Sequence, residues 1–321
     1  MMFYVEESMF GDVPEYVIKN ADTGESITVS RLGANIRGLA LGEGPGLLQV
    51  IRGYQTPGEL AGGKWSRGIK MIPFPNRIED GVYSFGGREY ALPINFPSQH
   101  HAIHGLLSTQ IMELADSGGN GGSGWVTLEY DFSGKFEGYP FDLVVRIKTI
   151  LDSGGLTVEN EAENVGQGPL PFGDGWHPYF SFGDRSDVDN WELRSSARSR
   201  IVMNERLIPT GELSPTEGTP HDFSDMRALG QIVLDNVYTD LVFRRGMAST
   251  ELRNPELDRT IRVWQDDVYR YLVVFTPPGE NRDCMAVEPM TCNTNAFNNG
   301  QGLMVLDPGE KFIGRYGVAL D

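Results

Sequence analysis

Three stretches of this 321-residue chain put reactive side chains where water does not easily surround them. The first is Met285-Ala286-Val287-Glu288-Pro289-Met290-Thr291-Cys292, which runs on through Asn293-Thr294-Asn295-Ala296-Phe297-Asn298. Here a lone carboxylate, Glu288, stands between apolar residues and a proline, where a strand should be ending. Glutamate is rarely buried unless something pairs with it or uses it. The ordinary alternative is a strand-end carboxylate facing water, and position alone favours that alternative. The second stretch, Asp174-Gly175-Trp176-His177-Pro178-Tyr179-Phe180, sets an imidazole between aromatic residues and ahead of a proline. Such a site is stiff and partly dry, and its aromatic faces suit the apolar faces of a sugar ring. The third, Pro73-Phe74-Pro75-Asn76-Arg77-Ile78, brackets a guanidinium with prolines and a phenylalanine. Arginine carries a rigid fork of donors and calls for a partner when buried. A surface arginine on a proline-rich turn is the competing reading.

The remaining histidines are less telling. His221, in Thr219-Pro220-His221-Asp222, fits a structural residue at a helix entry. His100, His101 and His104 share one loop, and their spacing invites a zinc reading, but neither a helix nor a plausible cysteine or carboxylate partner accompanies them. Cys284 and Cys292, the two cysteines, lack the spacing of a redox or metal pair and read as reduced structural thiols. No nucleophile elbow occurs, and Gly42-Glu43-Gly44-Pro45-Gly46 contains an acid and a proline and precedes no helix, so it is not a phosphate loop.

The elements that must position these residues read as strands. The 40 glycines and 19 prolines are spread along the whole chain, a distribution that suits many short strands and frequent turns. Between Phe141 and Asn164, apolar and polar residues alternate with a period of two on both sides of Asp152-Ser153-Gly154-Gly155. That predicts a hairpin whose wet face carries opposite charges on its two strands. A second hairpin is predicted from Gly81 to Leu92 around Gly86-Gly87, and further strands at Ile36–Leu41, Trp125–Asp131, Leu170–Trp176 and Ile261–Gln265. Asp222–Leu229 is the best helical candidate, with Ser224 as its cap. Ser117–Gly124 reads as a mobile loop and Arg194–Glu217 as a long surface excursion. Strand patterning resumes on both sides of each, so residues 1–321 are expected to form one large all-β, antiparallel β-sandwich domain.

The net charge of -17, from 27 basic and 44 acidic residues, has the wrong sign for a nucleic-acid or anionic-membrane partner. The N-terminus has an early acidic pair, Glu6-Glu7, and no basic segment of a secretory signal. No apolar run approaches the length of a membrane span. The expected setting is cytoplasmic, and the patterning is compatible with a monomer or a homodimer.

Taken in order, four segments resemble the aldose 1-epimerase (galactose mutarotase-like) family. They are Pro73–Pro93 (PFPNRIEDGVYSFGGREYALP), His101–Gly105 (HAIHG), Gly173–Phe180 (GDGWHPYF) and Ala286–Asn298 (AVEPMTCNTNAFN), with weaker likeness at Leu234–Leu241. The resemblance implies a β-supersandwich enzyme that interconverts the α and β anomers of a free aldose without a cofactor or metal. It implies Glu288 as general base and His177 as general acid, with Arg77 and His104 binding sugar hydroxyls and the ring region. Asn76 and Trp176 flank these positions as further substrate contacts. Asp235 matches a hydroxyl-binding acid, although Asp240 stands five residues on.

On that reading a base removes the anomeric hydroxyl proton while an acid protonates the ring oxygen. The C1–C2 bond rotates and the ring recloses on its other face. A carboxylate and an imidazolium suffice, each contributing roughly 10²- to 10⁴-fold, with no covalent intermediate. Glu288 would need a raised pKa from its apolar setting, and His177 would need to stay protonated, helped by a nearby carboxylate. Two departures from the family pattern bear on which sugar is bound. Gly105-Leu106 stands where many members have two glycines, and Asn293-Thr294-Asn295 where a Pro-Asp pair often precedes Ala-Phe. The loss of a charge at Asn295 would alter the substrate side near Glu288.

Three alternatives stand beside this reading. A hexose-6-phosphate mutarotase would need extra cations, for which Arg67 and Lys70 are the nearby candidates. A glycoside hydrolase would use two carboxylates, such as Glu288 and Asp235, about 5 Å or 6.5–9.5 Å apart. A non-catalytic carbohydrate-binding sandwich would need aromatics but not Glu288 and His177 together.

Overall fold

The computed structural model describes residues 2–183, 187–278 and 282–321. Its strands pair antiparallel throughout these residues, as the alternating pattern and short turns require. The architecture is the expected antiparallel β-sandwich. A nine-stranded sheet runs in the order Glu113–Gly119, Ser123–Asp131, Leu143–Asp152, Gly155–Asn164, Lys311–Leu320, Arg259–Asp266, Met247–Asn254, Glu192–Ser195 and Arg227–Ala228. A six-stranded sheet runs Tyr179–Phe180, Met285–Met290, Tyr271–Phe275, Asp235–Thr239, Ser199–Met203 and Pro209–Pro215. Five N-terminal strands, from Phe3–Phe10 to Leu48–Gln49, form a third sheet.

The hairpin read from residues 141–164 shows how sequence period becomes structure. Leu143, Val145, Ile147 and Leu151 point inward and are buried. The outward residues oppose one another in register, Arg146 against Glu161 and Lys148 against Glu159. The Arg146 guanidinium lies 2.9 Å from Glu161 and 2.5 Å from Glu129. These partly exposed pairs each contribute less than about 1 kcal/mol, so burial of the opposite face does most of the work. The second predicted hairpin forms from Val82–Phe85 and Arg88–Ala91.

Three local expectations are corrected. Residues 222–229 form no helix: the Asp222 carboxylate accepts bonds from the Ser224 amide and hydroxyl, closing a turn, and Arg227–Ala228 pairs at a sheet edge. The loop expected at 117–124 is mostly paired strand, with Asn120 O and Oδ1 organising its tip. The excursion expected at 194–217 instead supplies Ser199–Met203 and Pro209–Pro215, the outer ladder of the six-stranded sheet.

A helix not anticipated from the pattern, Pro57–Gly62, is capped by Thr56, which accepts from the Glu59 amide while Glu59 accepts from the Gln55 amide. At six residues it is too short to leave a periodic signal. No helix among the described residues is long and apolar enough to cross a membrane.

Candidate active site

The strand Met285–Met290 is flanked in its sheet by Tyr179–Phe180 and Tyr271–Phe275, and all six of its residues are buried. Glu288 is therefore 2% exposed, and the water-facing alternative does not hold. Strand alternation then sorts its neighbours. Met285 and Val287 join the main core, while Ala286, Glu288 and Met290 share the other face. Glu288 on that face lines a cavity of about 480 Å³, to which Val273, opposite Glu288, and Phe275, opposite Asp235, also contribute.

His177 comes to this cavity along the segment leading into Tyr179–Phe180. Its amide donates to Ile69 O, its carbonyl accepts from the Gly68 amide, and the adjacent Trp176 amide donates to Pro289 O. The last of these ties binds the segment to the strand end that follows Glu288, and the other two bind it to residues 68–69. The result is a short separation of 3.4 Å between His177 Nε2 and Glu288 Oε1, with both side chains almost wholly buried. The imidazole stacks on Tyr179 at 5.2 Å between ring centroids and meets the His104 ring edge-on at 5.1 Å. Nδ1 of His177 has no hydrogen-bond partner on another residue among those described.

The opposite wall comes from residues 76–77 and 103–104. Arg77 and Ile103 are register partners, and the His104 amide donates to Asn76 O at 2.8 Å. Asn76 and His104 both hold left-handed backbone, φ 57° and 62°, a costly conformation for residues with a Cβ and one that aims both side chains into the cavity. Arg77 Nη1 donates to Asn76 Oδ1 at 2.7 Å, whereas buried Arg77 Nε has no partner among the described residues. Asp235, on the strand Asp235–Thr239, also lines the cavity. Asp240 instead lines separate surface recesses.

Burial drives the electrostatics. It raises the Glu288 carboxyl well above its ordinary range, with Asp235 adding to the rise and Arg77 opposing it. Burial and the Arg77 charge together push His177 down to about 3, outweighing the contribution of its own backbone. Both shifts run against the expected imidazolium, because burial favours the neutral form of each side chain. Burial, His177 and Arg77 likewise hold His104 well below the usual histidine range. Arg77 is lowered by burial, against the attraction of Asp235 and Glu288.

Two other expectations change. Trp176 is 0% exposed and turned away from the cavity, stacked on Tyr316 at 5.1 Å with Lys70 Nζ 4.8 Å from its ring. Adjacent residues of an extended segment face opposite ways, so His177 in the cavity puts Trp176 in the core. Asn295 is not on the substrate side either. Its Oδ1 accepts from the Glu79 amide at 3.0 Å and Asn298 Nδ2 at 2.8 Å, and its amide donates to Arg77 O, so it braces the strand carrying Arg77. Leu106 packs beneath the core with its amide bonded to Ile72 O, away from the cavity.

His100 pairs with Asp80, and His101 bonds to the Asp80 amide and Arg206 O, so neither joins His104. Among the described residues no group of His, Cys, Asp or Glu is arranged to hold a metal ion. Sequence reasoning missed Trp65, Asn95, Phe96, Leu207 and Phe275 in the cavity wall. They come from four separate segments, whereas Tyr179, two residues from His177, carried a readable signal.

Residues 14–318 match the family described as aldose 1-epimerase. The chain belongs to the aldose 1-epimerase family. The uncharacterized protein YihR of Escherichia coli K12 is 30% identical over 247 residues, 76% of this chain and 75% of that protein. Rat galactose mutarotase is 30% identical over 166 residues, covering 49% of this chain and 44% of the mutarotase. A galactose mutarotase-like protein from Clostridium acetobutylicum superposes with a TM-score of 0.86 over 99% of this chain and 98% of its own, at 18% identity, a likeness of fold. Within this aldose 1-epimerase family member, each of the four resembling segments brings a side chain to the same cavity: Arg77, His104, His177 and Glu288.

Proposed function

We propose that the chain is an aldose 1-epimerase that interconverts the anomers of a free, unphosphorylated aldose. The observation that carries this reading is the Glu288–His177 pair, 3.4 Å apart and almost wholly buried at a cavity of small-molecule size. The two oxygens on an anomeric carbon are close enough for one carboxyl and one imidazole to serve both. The proton count supports the same conclusion. A neutral Glu288 with a neutral His177 holds one proton, as does a carboxylate with an imidazolium. With the sugar ring bound, carboxylate takes the O1 proton while imidazolium delivers one to the ring oxygen, leaving both groups neutral beside the open-chain aldehyde. Rotation about C1–C2 and the reverse transfers give the other anomer and restore the starting pair. The two protonation patterns are thus the two ends of one cycle, and each is accessible because the proton only moves within the pair.

Arg77, with an unpaired Nε donor, and Asp235 would hold ring hydroxyls. A phosphorylated substrate has less support, because Lys70 is wholly buried under Trp176 and bonded to the Tyr316 hydroxyl at 2.9 Å. The test is polarimetry on freshly dissolved α-glucose, α-galactose and a panel of other aldoses, with sugar phosphates included. Acceleration over the spontaneous rate on neutral sugars is expected. Equal rates with and without protein across the panel would sink the enzyme reading, and preference for a phosphate would overturn the substrate class.

A further inference from the structure

Met71 lies directly behind His104. Its Sδ is 3.0 Å from His104 Nδ1, and the residue is wholly buried. The Met71 amide donates to Gly175 O at 2.7 Å, which ties the thioether to the segment bearing His177. Gly175 also makes room for it, since a Cβ at that position would stand 2.8 Å from Met71 Cε. The sulfur therefore has little freedom to withdraw from the imidazole. A thioether can accept a hydrogen bond but cannot donate one. At this separation an unprotonated Nδ1 would set a lone pair against the sulfur, so the proton belongs on Nδ1. A neutral imidazole has one donor and one acceptor, which leaves Nε2 bare. Among the described residues Nε2 has no protein partner, and the ring lines the cavity.

We propose that Met71 is a positioning residue that locks His104 in the Nδ1–H tautomer, so that Nε2 accepts a hydrogen bond from one hydroxyl of the bound aldose. The wall of the cavity then divides its labour. Arg77 supplies donors, while His104 supplies an acceptor that tells a hydroxyl from a hydrogen, a fluorine or a carbonyl oxygen at one carbon of the sugar. The hydroxyl half of this inference rests on the aldose reading; the tautomer does not.

The test is long-range ¹⁵N–¹H correlation on the histidine-labelled full chain near neutral pH, with His104 assigned by the signals missing from His104→Asn. The expected result is a pyrrole-type Nδ1 and a pyridine-type Nε2 for His104 without any sugar present. An Nε2–H tautomer in the wild-type chain overturns the proposal, and that measurement needs no variant at Met71. Met71→Leu conserves volume, and such swaps are usually tolerated. It should release the tautomer into a mixture, raise KM roughly three- to tenfold and narrow the preference for the parent aldose over one singly deoxygenated analogue. An unchanged tautomer in Met71→Leu overturns the role of the sulfur. A chain inactive on every aldose but with His104 locked as Nδ1–H would overturn the enzyme reading and uphold the tautomer lock.

Discussion

Replacing Glu288 with glutamine should separate activity from stability in opposite directions. The substitution keeps shape and polarity but removes the proton acceptor. If Glu288 moves the O1 proton, turnover should fall by roughly 10²- to 10⁴-fold with little change in KM. The effect on stability follows from burial. Glu288 is 2% exposed, and its folded pKa lies well above the ordinary 4.5, because burial and Asp235 outweigh Arg77. Below the unfolded value both states hold the proton and the carboxyl costs nothing through ionisation. As pH rises, the unfolded chain releases its proton first, so wild-type stability falls until the pH passes the folded value. Each unit of that gap is worth about 1.4 kcal/mol. Glutamine has no proton to lose, so Glu288→Gln should match wild type near pH 4 and exceed it at neutral pH. Urea unfolding at several pH values, paired with polarimetry, measures both effects. A variant that keeps more than about a tenth of wild-type turnover would refute the base assignment. A variant destabilised equally at every pH would refute the electrostatic argument.

Two further outcomes follow from the same geometry. Because catalysis needs one proton on the Glu288–His177 pair, kcat/KM should not fall through the ordinary histidine value of 6.5 on acidification; it should hold toward the His177 value of about 3 for as long as circular dichroism shows the chain folded. The alkaline limb should follow loss of the pair's last proton, held high by burial, and an acid limb centred near 6.5 in polarimetric rates would contradict the buried-pair picture. Trp176→Ala should cost about 3–5 kcal/mol in urea unfolding, because it empties a core position against Tyr316 and uncovers Lys70. Its KM should stay near wild type wherever it remains folded; a raised KM without lost stability would return Trp176 to the substrate side.

Much of the fold was legible because its information is local. A period of two over residues 141–164 and the glycine pair at 86–87 dictate hairpins whatever the rest of the chain does. The short capped helix at Pro57–Gly62 and the turn at Asp222 were not legible, since one turn of chain gives no period and a side-chain bond to the backbone can replace a helical one. The site was legible as motifs: Arg77, His104, His177 and Glu288 stand in segments whose composition is unusual for exposed strand ends.

What those residues do to one another was decided only in three dimensions. Trp176 and His177 are neighbours in sequence with equal aromatic promise, yet the pleat sends one to the core and the other to the cavity. Asn295, read as a change in substrate electrostatics, turned out to hold the backbone at Arg77 and Glu79. Trp65, Leu207 and Phe275 meet at the cavity from distant strands and loops. The resting place of the proton was the least accessible of all. Residue identity sets the ordinary pKa of a glutamate and a histidine, but the burial that favours the neutral form of both depends on every chain segment packed around them.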